Sequence, residues 1–324
     1  MGKTLAAPSR GEIALAHEKL SRLVAQLGTV ILDKDPVIER TVVTLLSRGH
    51  LLMEDVPGVG KTMLAKSLAR SIAAKFTRIQ FTPDLLPADV TGATVYDPVK
   101  REFNFQPGPV FTNILLADEI NRTSPRTQSS LLEAMEEQQV TVDGISHPLP
   151  ELFFVIATQN PIEQQGTYPL PEAQLDRFLL KQAVGYPSAE REVEMLKAQQ
   201  FEHPIEHLSP ILTPEEVLEL QALTRKIHVS DPVLSYIVNL VRLTREHPDV
   251  QVGASPRGSL ALRRAAQALA LIRGMEYVIP EHVKELAPFV LAHRLILMSE
   301  AELSGVTPEL IVEEVLEKAP VPLP

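Results

Sequence analysis

The chain has 324 residues, 44% of them hydrophobic, enough to build two domains around sizeable cores. It contains no cysteine, which excludes disulfides, thiolate zinc sites and cysteine nucleophiles. A net charge of −10, in a chain without long Lys/Arg runs, argues against a dedicated nucleic-acid binder.

The N-terminal stretch Met1–Pro8 lacks the long apolar segment of a secretory signal, and Met1-Gly2 alone is a weak basis for myristoylation. No apolar run approaches the ~18–20 residues that span a bilayer, so a cytoplasmic protein is expected. Residues 12–27 and 36–49 read as helices, the second from Ile38, Val42, Leu45 and Leu46 at helical spacing. The run Leu51-Leu52-Met53 reads as a strand and leads into Asp55-Val-Pro-Gly-Val-Gly-Lys-Thr62. A helix then continues through Met63, Leu64, Ala65, Leu68 and Ala69. Strand, glycine-bearing loop, Lys-Thr and helix is an arrangement that binds nucleotide phosphates. Glycines let backbone N–H groups turn inward as an anion nest, and the helix start adds its dipole. The candidate contacts are Pro57, Gly58, Val59, Gly60, Lys61, Thr62 and Met63, with the Thr62 hydroxyl a ligand for Mg²⁺. Asp55 stands where the usual first glycine of such a loop falls.

Four further apolar strands are expected at Phe76–Phe81, Asn113–Ala117, Leu152–Ala157 and Phe178–Leu180. The second and third are continuously apolar, as central parallel strands covered on both faces would be. With helical stretches between them, the first ~185 residues read as a wound α/β sheet. Asp118-Glu119 closes one strand. There Asp118 suits the Mg²⁺ sphere and Glu119 the polarising of an attacking water, while a helix N-cap is the plain alternative. Asn160, after Phe153-Phe-Val-Ile-Ala-Thr-Gln159, can hold a water or touch a γ-phosphate. It could equally be a turn former before Pro161, and Gln159 competes for the same role. Arg177 suits transition-state charge on a γ-phosphate, against a salt bridge with Asp176 or another neighbour. Arg257, after Ser255-Pro256 in the first turn of a helix, opposes the helix dipole, which an anion, here a phosphate, would explain. Two hairpin-like insertions, 95–105 and 140–149, flank the Asp118 strand. Asp143-Gly144 in the second is a tight-turn signal. Lys100 and Arg101 in the first read as a solvated turn.

After Gly185-Tyr186-Pro187 strand-like runs disappear and helix starts recur at Thr213-Pro214, Ser230-Asp-Pro232, Ser255-Pro256 and Thr307-Pro308. Thr213 and Glu216 have capping-box spacing. The division expected is therefore 1–186, an α/β nucleotide-binding domain, and 187–324, an all-α domain with a frayed Pro-rich tail.

Assembled in this order, the elements resemble the AAA+ ATPases and, within them, the MoxR family. The segments that carry the resemblance include Leu51–Thr62, Ile79–Gly92, Pro107-Gly-Pro109, Asp118-Glu-Ile-Asn-Arg122 and Leu131-Leu-Glu-Ala-Met-Glu-Glu137. Ala157-Thr-Gln-Asn-Pro161, Leu170–Phe178 and Gly253-Ala-Ser-Pro-Arg257 complete them. The resemblance runs from about residue 12 to 318. Asp55 fits that family's own pattern, as does the pairing of a helix-two insertion (93–108) with a hairpin before sensor 1. It implies a five-stranded parallel sheet followed by a small all-helical lid, and an Mg²⁺-dependent ATPase. Lys61 and Thr62 would be Walker A, Asp118 and Glu119 Walker B, and Asn160 sensor 1. Arg177 resembles the finger given to an adjacent subunit, and Arg257 resembles sensor 2 reaching from the lid. Val30 and Ile31 would offer backbone contacts to adenine. There the chain departs from the family, with Asp33-Lys34 in place of a common Gly-Gln pair.

The resemblance further implies a homo-oligomeric, usually hexameric, ring acting as a chaperone-like motor on a protein client, often with a von Willebrand factor A domain partner. A chelatase-like subunit of a metal-insertion complex would share the fold and ATP chemistry. A nucleic-acid motor would want basic hairpin tips, and Val140–Leu149 carries neither Lys nor Arg. A nucleotide-gated scaffold would need neither Glu119 nor Arg177.

Overall fold

The computed structural model describes residues 7–160, 167–198 and 204–322. The expectations for Met1–Ala6, for Pro161 and for the last two residues of the Pro-rich tail lie outside the described residues. Helix α1 (Arg10–Gly28) opens with a reciprocal cap. Ser9 Oγ accepts the Glu12 amide at 3.2 Å, and the Glu12 carboxylate accepts the Ser9 amide at 2.8 Å. Its stripe Ile13, Ala16, Leu20, Leu23 and Leu27 is buried. Helix α2 (Asp35–Leu46) stops short of the expected residue 49 because Arg48 takes a left-handed φ of 53° and turns the chain into β1 (Leu51–Glu54).

The first half then alternates as expected: α3 (Lys61–Ser71), β2 (Phe76–Gln80), the short α4 (Pro87–Thr91), and a hairpin of β3 (Gly92–Asp97) and β4 (Glu102–Pro107). Strand β5 (Ile114–Asp118), α5 (Pro125–Glu137), the hairpin β6 (Gln139–Val142) and β7 (Ile145–Pro148), and β8 (Phe154–Gln159) follow. A single turn, α6 (Glu172–Leu175), leads into β9 (Leu180–Gln182). Strands β2-β5-β8-β1-β9, in that order, form one wholly parallel sheet. Parallel strands need both faces covered, and period-two alternation divides their side chains between two cores. Leu51, Met53, Ile114, Leu116, Phe154 and Ile156 face one core. Leu52, Leu115, Ala117, Val155 and Ala157 face the other.

Two strands run further than their apolar residues suggest, β5 to Asp118 and β8 to Gln159. Ladder pairing continues into the polar end, as between Gln80 and Asp118. The last strand starts at Leu180 rather than Phe178. The Arg177 and Phe178 amides donate to Gln174 and Leu175, closing the turn of α6 before extended backbone begins. The first hairpin is pinched at its base by Gly92 and Gly108. A Cβ on Gly92 would overlap the Gln106 carbonyl, and one on Gly108 the Gly92 nitrogen. Gly92 also has a φ of 94°. At the tip of the second hairpin, Asp143 and Gly144 both have positive φ, as a type I′ turn requires.

The second half holds α7 (Ala189–Ala198), α8 (Pro214–Thr224), α9 (Asp231–Glu246), β10 (Val250–Val252), α10 (Pro256–Ile272) and α11 (Pro280–Leu291). It closes with β11 (Ile296–Leu297), α12 (Ser299–Leu303) and α13 (Pro308–Lys318). Among its described residues helices predominate, and β10 and β11 pair as a small antiparallel ribbon, too short to register in the sequence pattern. Thr213 and Glu216 form the expected capping box at 2.9 and 3.3 Å, and Ser255 and Thr307 cap α10 and α13. Ser230 makes no side-chain cap bond. The core on the Leu51 side of the sheet continues through α1 and α2 into α8–α11 and α13. The helical unit is therefore packed onto the α/β unit through the N-terminal helices.

Candidate functional site

The cleft at the carboxyl ends of β1, β5 and β8 holds about 350 Å³. Pro57, Gly58, Gly60, Lys61, Thr62, Met63, Arg78, Gln80, Asp118, Glu119 and Asn160 line it. Lys61 begins α3, and the glycine before it has a φ of 95°, with Gly58 at 88°. A Cβ at either glycine would meet no atom within 4 Å, so the loop is wound in a glycine-only conformation around open space. That is a cradle for an anion, with the α3 dipole behind it. Lys61 Nζ donates to the Asp55 carbonyl at 2.7 Å, which holds the ammonium over the loop. Burial lowers its pKa, opposed by the charges of Asp55, Asp118 and Glu119.

The substituted glycine now has a physical account. Asp55 Oδ2 accepts the amides of Val184 and Gly185 at 2.7 and 2.6 Å, and Oδ1 accepts the Val56 amide at 2.8 Å. A carboxylate there ties the phosphate loop to the chain leaving β9, which a glycine could not do.

Neither acid at the end of β5 caps a helix with its side chain, although Glu119 stands at the N-cap of the 3₁₀ turn Ile120–Arg122. Asp118 Oδ1 accepts the Thr158 hydroxyl at 2.6 Å, and the same Thr158 oxygen accepts the Glu119 amide at 2.9 Å. One threonine on β8 thereby sets both acids, with Glu119 held at a left-handed φ of 58°. Asp118 Oδ2 accepts Arg78 at 2.7 and 3.1 Å, while Glu119 accepts Gln80 at 2.7 Å and pairs with Arg122 at 3.1 Å. Arg78 and Gln80 lie two apart on edge strand β2, so both side chains share one face. None of Arg78, Gln80, Arg122 and Thr158 has a role assigned from the sequence; for Arg78 and Gln80 the available signal is their period-two spacing on one strand. Asn160 lines the cleft, whereas Gln159 donates to Glu54 at 3.2 Å.

No cluster of three or more His, Cys, Asp or Glu suited to a metal occurs among the described residues. The oxygen donors Asp118 and Thr62 do fit Mg²⁺ bound together with substrate phosphates and water.

Val59 packs against the core rather than lining the cleft. Val30 and Ile31 are also absent from the lining, and both their amides donate to the Leu27 carbonyl at 3.1 and 2.9 Å. A base could meet them only through their carbonyls. Lys34, in the departing pair, donates to the Tyr186 carbonyl at 2.8 Å and links this segment to the end of the sheet.

Arg177 and Arg257 lie elsewhere. They line a second hollow of about 320 Å³ with Arg48, Glu136, Asp176, Arg264 and Arg294. Arg177 pairs with Glu136 at 3.2 Å and Arg257 with the other oxygen of Glu136 at 2.8 Å. Asp176, the neighbour first considered for Arg177, instead pairs with buried Arg294 at 2.7 Å and accepts Ser255 Oγ at 3.3 Å. The lid arginine therefore sits beside Arg177 and not over its own chain's phosphate loop.

Among the described residues no helix is long and apolar enough to cross a membrane. Residues 50–180 match the ATPase family associated with various cellular activities, and residues 242–315 match its lid domain. The chain is 52% identical over 307 residues to the Bacillus subtilis protein YeaC, covering 95% of this chain and 96% of that one. It is 43% identical to Chaperone MoxR1 of Mycobacterium tuberculosis, across 98% and 86% of the two chains. A crystal structure of a candidate ATPase from Cytophaga hutchinsonii superposes with a TM-score of 0.90 at 38% identity, covering 97% of this chain and 98% of that one. With this sheet order and phosphate loop, and with relatives of this kind along its length, the chain belongs to the MoxR family of AAA+ ATPases.

Proposed function

We propose that the protein hydrolyses ATP with Mg²⁺ in a ring of like subunits and uses the cycle to remodel a protein client. Residues 1–186 serve as the nucleotide-binding unit and 187–324 as the lid. In this reading the loop amides from Gly58 to Met63 and the Lys61 ammonium hold the β- and γ-phosphates, with Pro57 shaping the loop before them. Thr62 and Asp118 hold Mg²⁺, which supplies charge neutralisation on the transferring phosphoryl group. Glu119 orients the attacking water and accepts its proton, and Asn160 fixes that water beside the γ-phosphate. Adenine is met by the Val30–Ile31 backbone.

One observation carries the ring: the two arginines that would stabilise transition-state charge line a hollow apart from the cleft holding Lys61, Asp118 and Glu119. Each half lacks what the other has, so a second copy would complete the site. The relative named a chaperone supports a protein client. So do the exposed apolar side chains Val95, Tyr96, Val99 and Phe103 on the first hairpin and Ile145 on the second. Six subunits and a von Willebrand factor A domain partner remain part of the proposal through the family.

The test is complementation. Lys61→Ala and Arg177→Ala chains, each inactive alone, should recover ATP hydrolysis when mixed, because some interfaces then pair an intact loop with an intact arginine. No recovery at any mixing ratio would make Arg177 an intrachain residue.

A further inference from the structure

In the second hollow one acid, Glu136, lies between half-buried Arg177 and exposed Arg257. Glu136 lies in the last turn of α5, where a carboxylate opposes the helix dipole. Arg257 lies in the first turn of α10, where a cation opposes it equally. Each charge is at the unfavourable end of its own helix, and the two meet at 2.8 Å. Arg177, from the turn before β9, takes the other oxygen of the same carboxylate at 3.2 Å. A single side chain thus joins an arginine of the α/β unit to an arginine of the lid.

We infer that Glu136 is a positioning residue: it gathers Arg177 and Arg257 into one two-armed receptor for the terminal phosphate of a nucleotide bound to a second copy of the chain. The inference rests on the proposed sharing of sites between copies and extends it to a residue with no role so far. Two guanidinium groups brought to one spot repel each other, and one carboxylate between them removes most of that repulsion. The three side chains together keep a net charge of +1, and Arg48 and Arg264 line the same hollow, so it draws an anion. The remaining contacts of the hollow steady the same pair from behind. Asp176 accepts Ser255 Oγ from the start of α10 and pairs with Arg294, whose Nη2 also donates to the Phe178 carbonyl at 2.7 Å. Among the described residues only Glu136 pairs with both arginines, and at about one-third side-chain exposure it can be exchanged for an isostere without opening the core.

The experiment uses the full-length chain with Glu136→Gln and Glu136→Asp. Glu136→Gln should lower kcat by roughly tenfold to a hundredfold, the effect of misplacing a catalytic group by about 1 Å. KM for ATP should change by less than about threefold, because each chain's own phosphate cleft is untouched, and Glu136→Asp should retain more activity than Glu136→Gln. Mixed rings give the decisive readout. Glu136→Gln chains should recover activity with Lys61→Ala chains, which supply intact arginines, but not with Arg177→Ala chains, which are defective on the same face. Unchanged kcat in Glu136→Gln would overturn the inference. So would recovery with Arg177→Ala, or loss of activity that Lys61→Ala chains cannot rescue while Arg177→Ala chains are rescued. Failure of the Lys61→Ala and Arg177→Ala mixture itself would instead remove the shared-site reading beneath it.

Discussion

Asp55→Asn isolates what a carboxylate contributes in place of a loop glycine. The aspartate accepts three backbone N–H groups, two on Oδ2 and one on Oδ1. Asparagine has one acceptor oxygen, so in either amide orientation at least one of those N–H groups faces an NH₂. In the better orientation the Val184 and Gly185 bonds survive without charge assistance and the Val56 bond is lost. Hydrogen bonds to charged groups contribute about 1.5–3 kcal/mol each, so a loss of about 2–4 kcal/mol is expected. For a chain of 324 residues melting as one unit that corresponds to a fall in Tm of roughly 3–6 °C. Lys61 donates to the Asp55 carbonyl, so the displaced loop should also bind ATP at least about tenfold more weakly, a difference of about 1.4 kcal/mol. Thermal melts followed by circular dichroism and titration with a fluorescent ATP analogue read the two effects. Asp55→Gly, which restores the commoner loop pattern, should be no better. A Tm within 1 °C of the parent, with ATP affinity within about twofold, would refute the anchoring role.

Thr158→Val keeps the shape of the side chain but removes both the donor to Asp118 and the acceptor for the Glu119 amide. ATP turnover should fall by roughly 10²-fold or more, the scale set by small displacements of catalytic groups, and half-maximal activity should need more Mg²⁺. An unchanged Mg²⁺ dependence would detach Thr158 from the acids. A pH effect comes from His50, which burial holds neutral with a pKa lowered to about 4, partly offset by its contact with the Met135 carbonyl. The unfolded chain takes up this proton near pH 6.5, so it binds more protons than the native state between about 6.5 and 4. Stability is full above that window and is lost as pH falls through it, by about 2 kcal/mol at pH 5 from this residue. His282, also lowered to about 4, acts in the same direction. Urea midpoints at pH 7.5 and 5 should differ accordingly and differ less in His50→Asn; equal slopes for the variant and its parent would contradict this.

The sheet was legible because its signals are local. Continuously apolar runs ending in Asp118-Glu119 and Asn160 announce parallel strands whose polar ends share one edge, and Gly60-Lys61-Thr62 announces the loop between them. The partners of those groups were not legible in the same way. Glu136 and Arg257 are 121 residues apart, and nothing in either helix names the other; the dipole argument looked to a phosphate for Arg257, and the anion within this chain is the Glu136 carboxylate. Gly92 and Gly108 carried no reading of their own in the sequence, and only the crossing of their backbones shows why a side chain is barred from both. The start of β9 was misjudged by two residues because Phe178 is as apolar as a strand residue, while its amide still belongs to the preceding turn. The ribbon of β10 and β11 left no pattern because two and three residues are too few to show alternation.

The central claim, that one copy supplies the phosphate cleft and another the arginines, is tested most directly by ATPase rate against protein concentration, with light scattering in ATP-containing buffer. The account predicts a specific activity that climbs with concentration in step with the rise in mass. A specific activity that stays flat while the chain remains monomeric would contradict it.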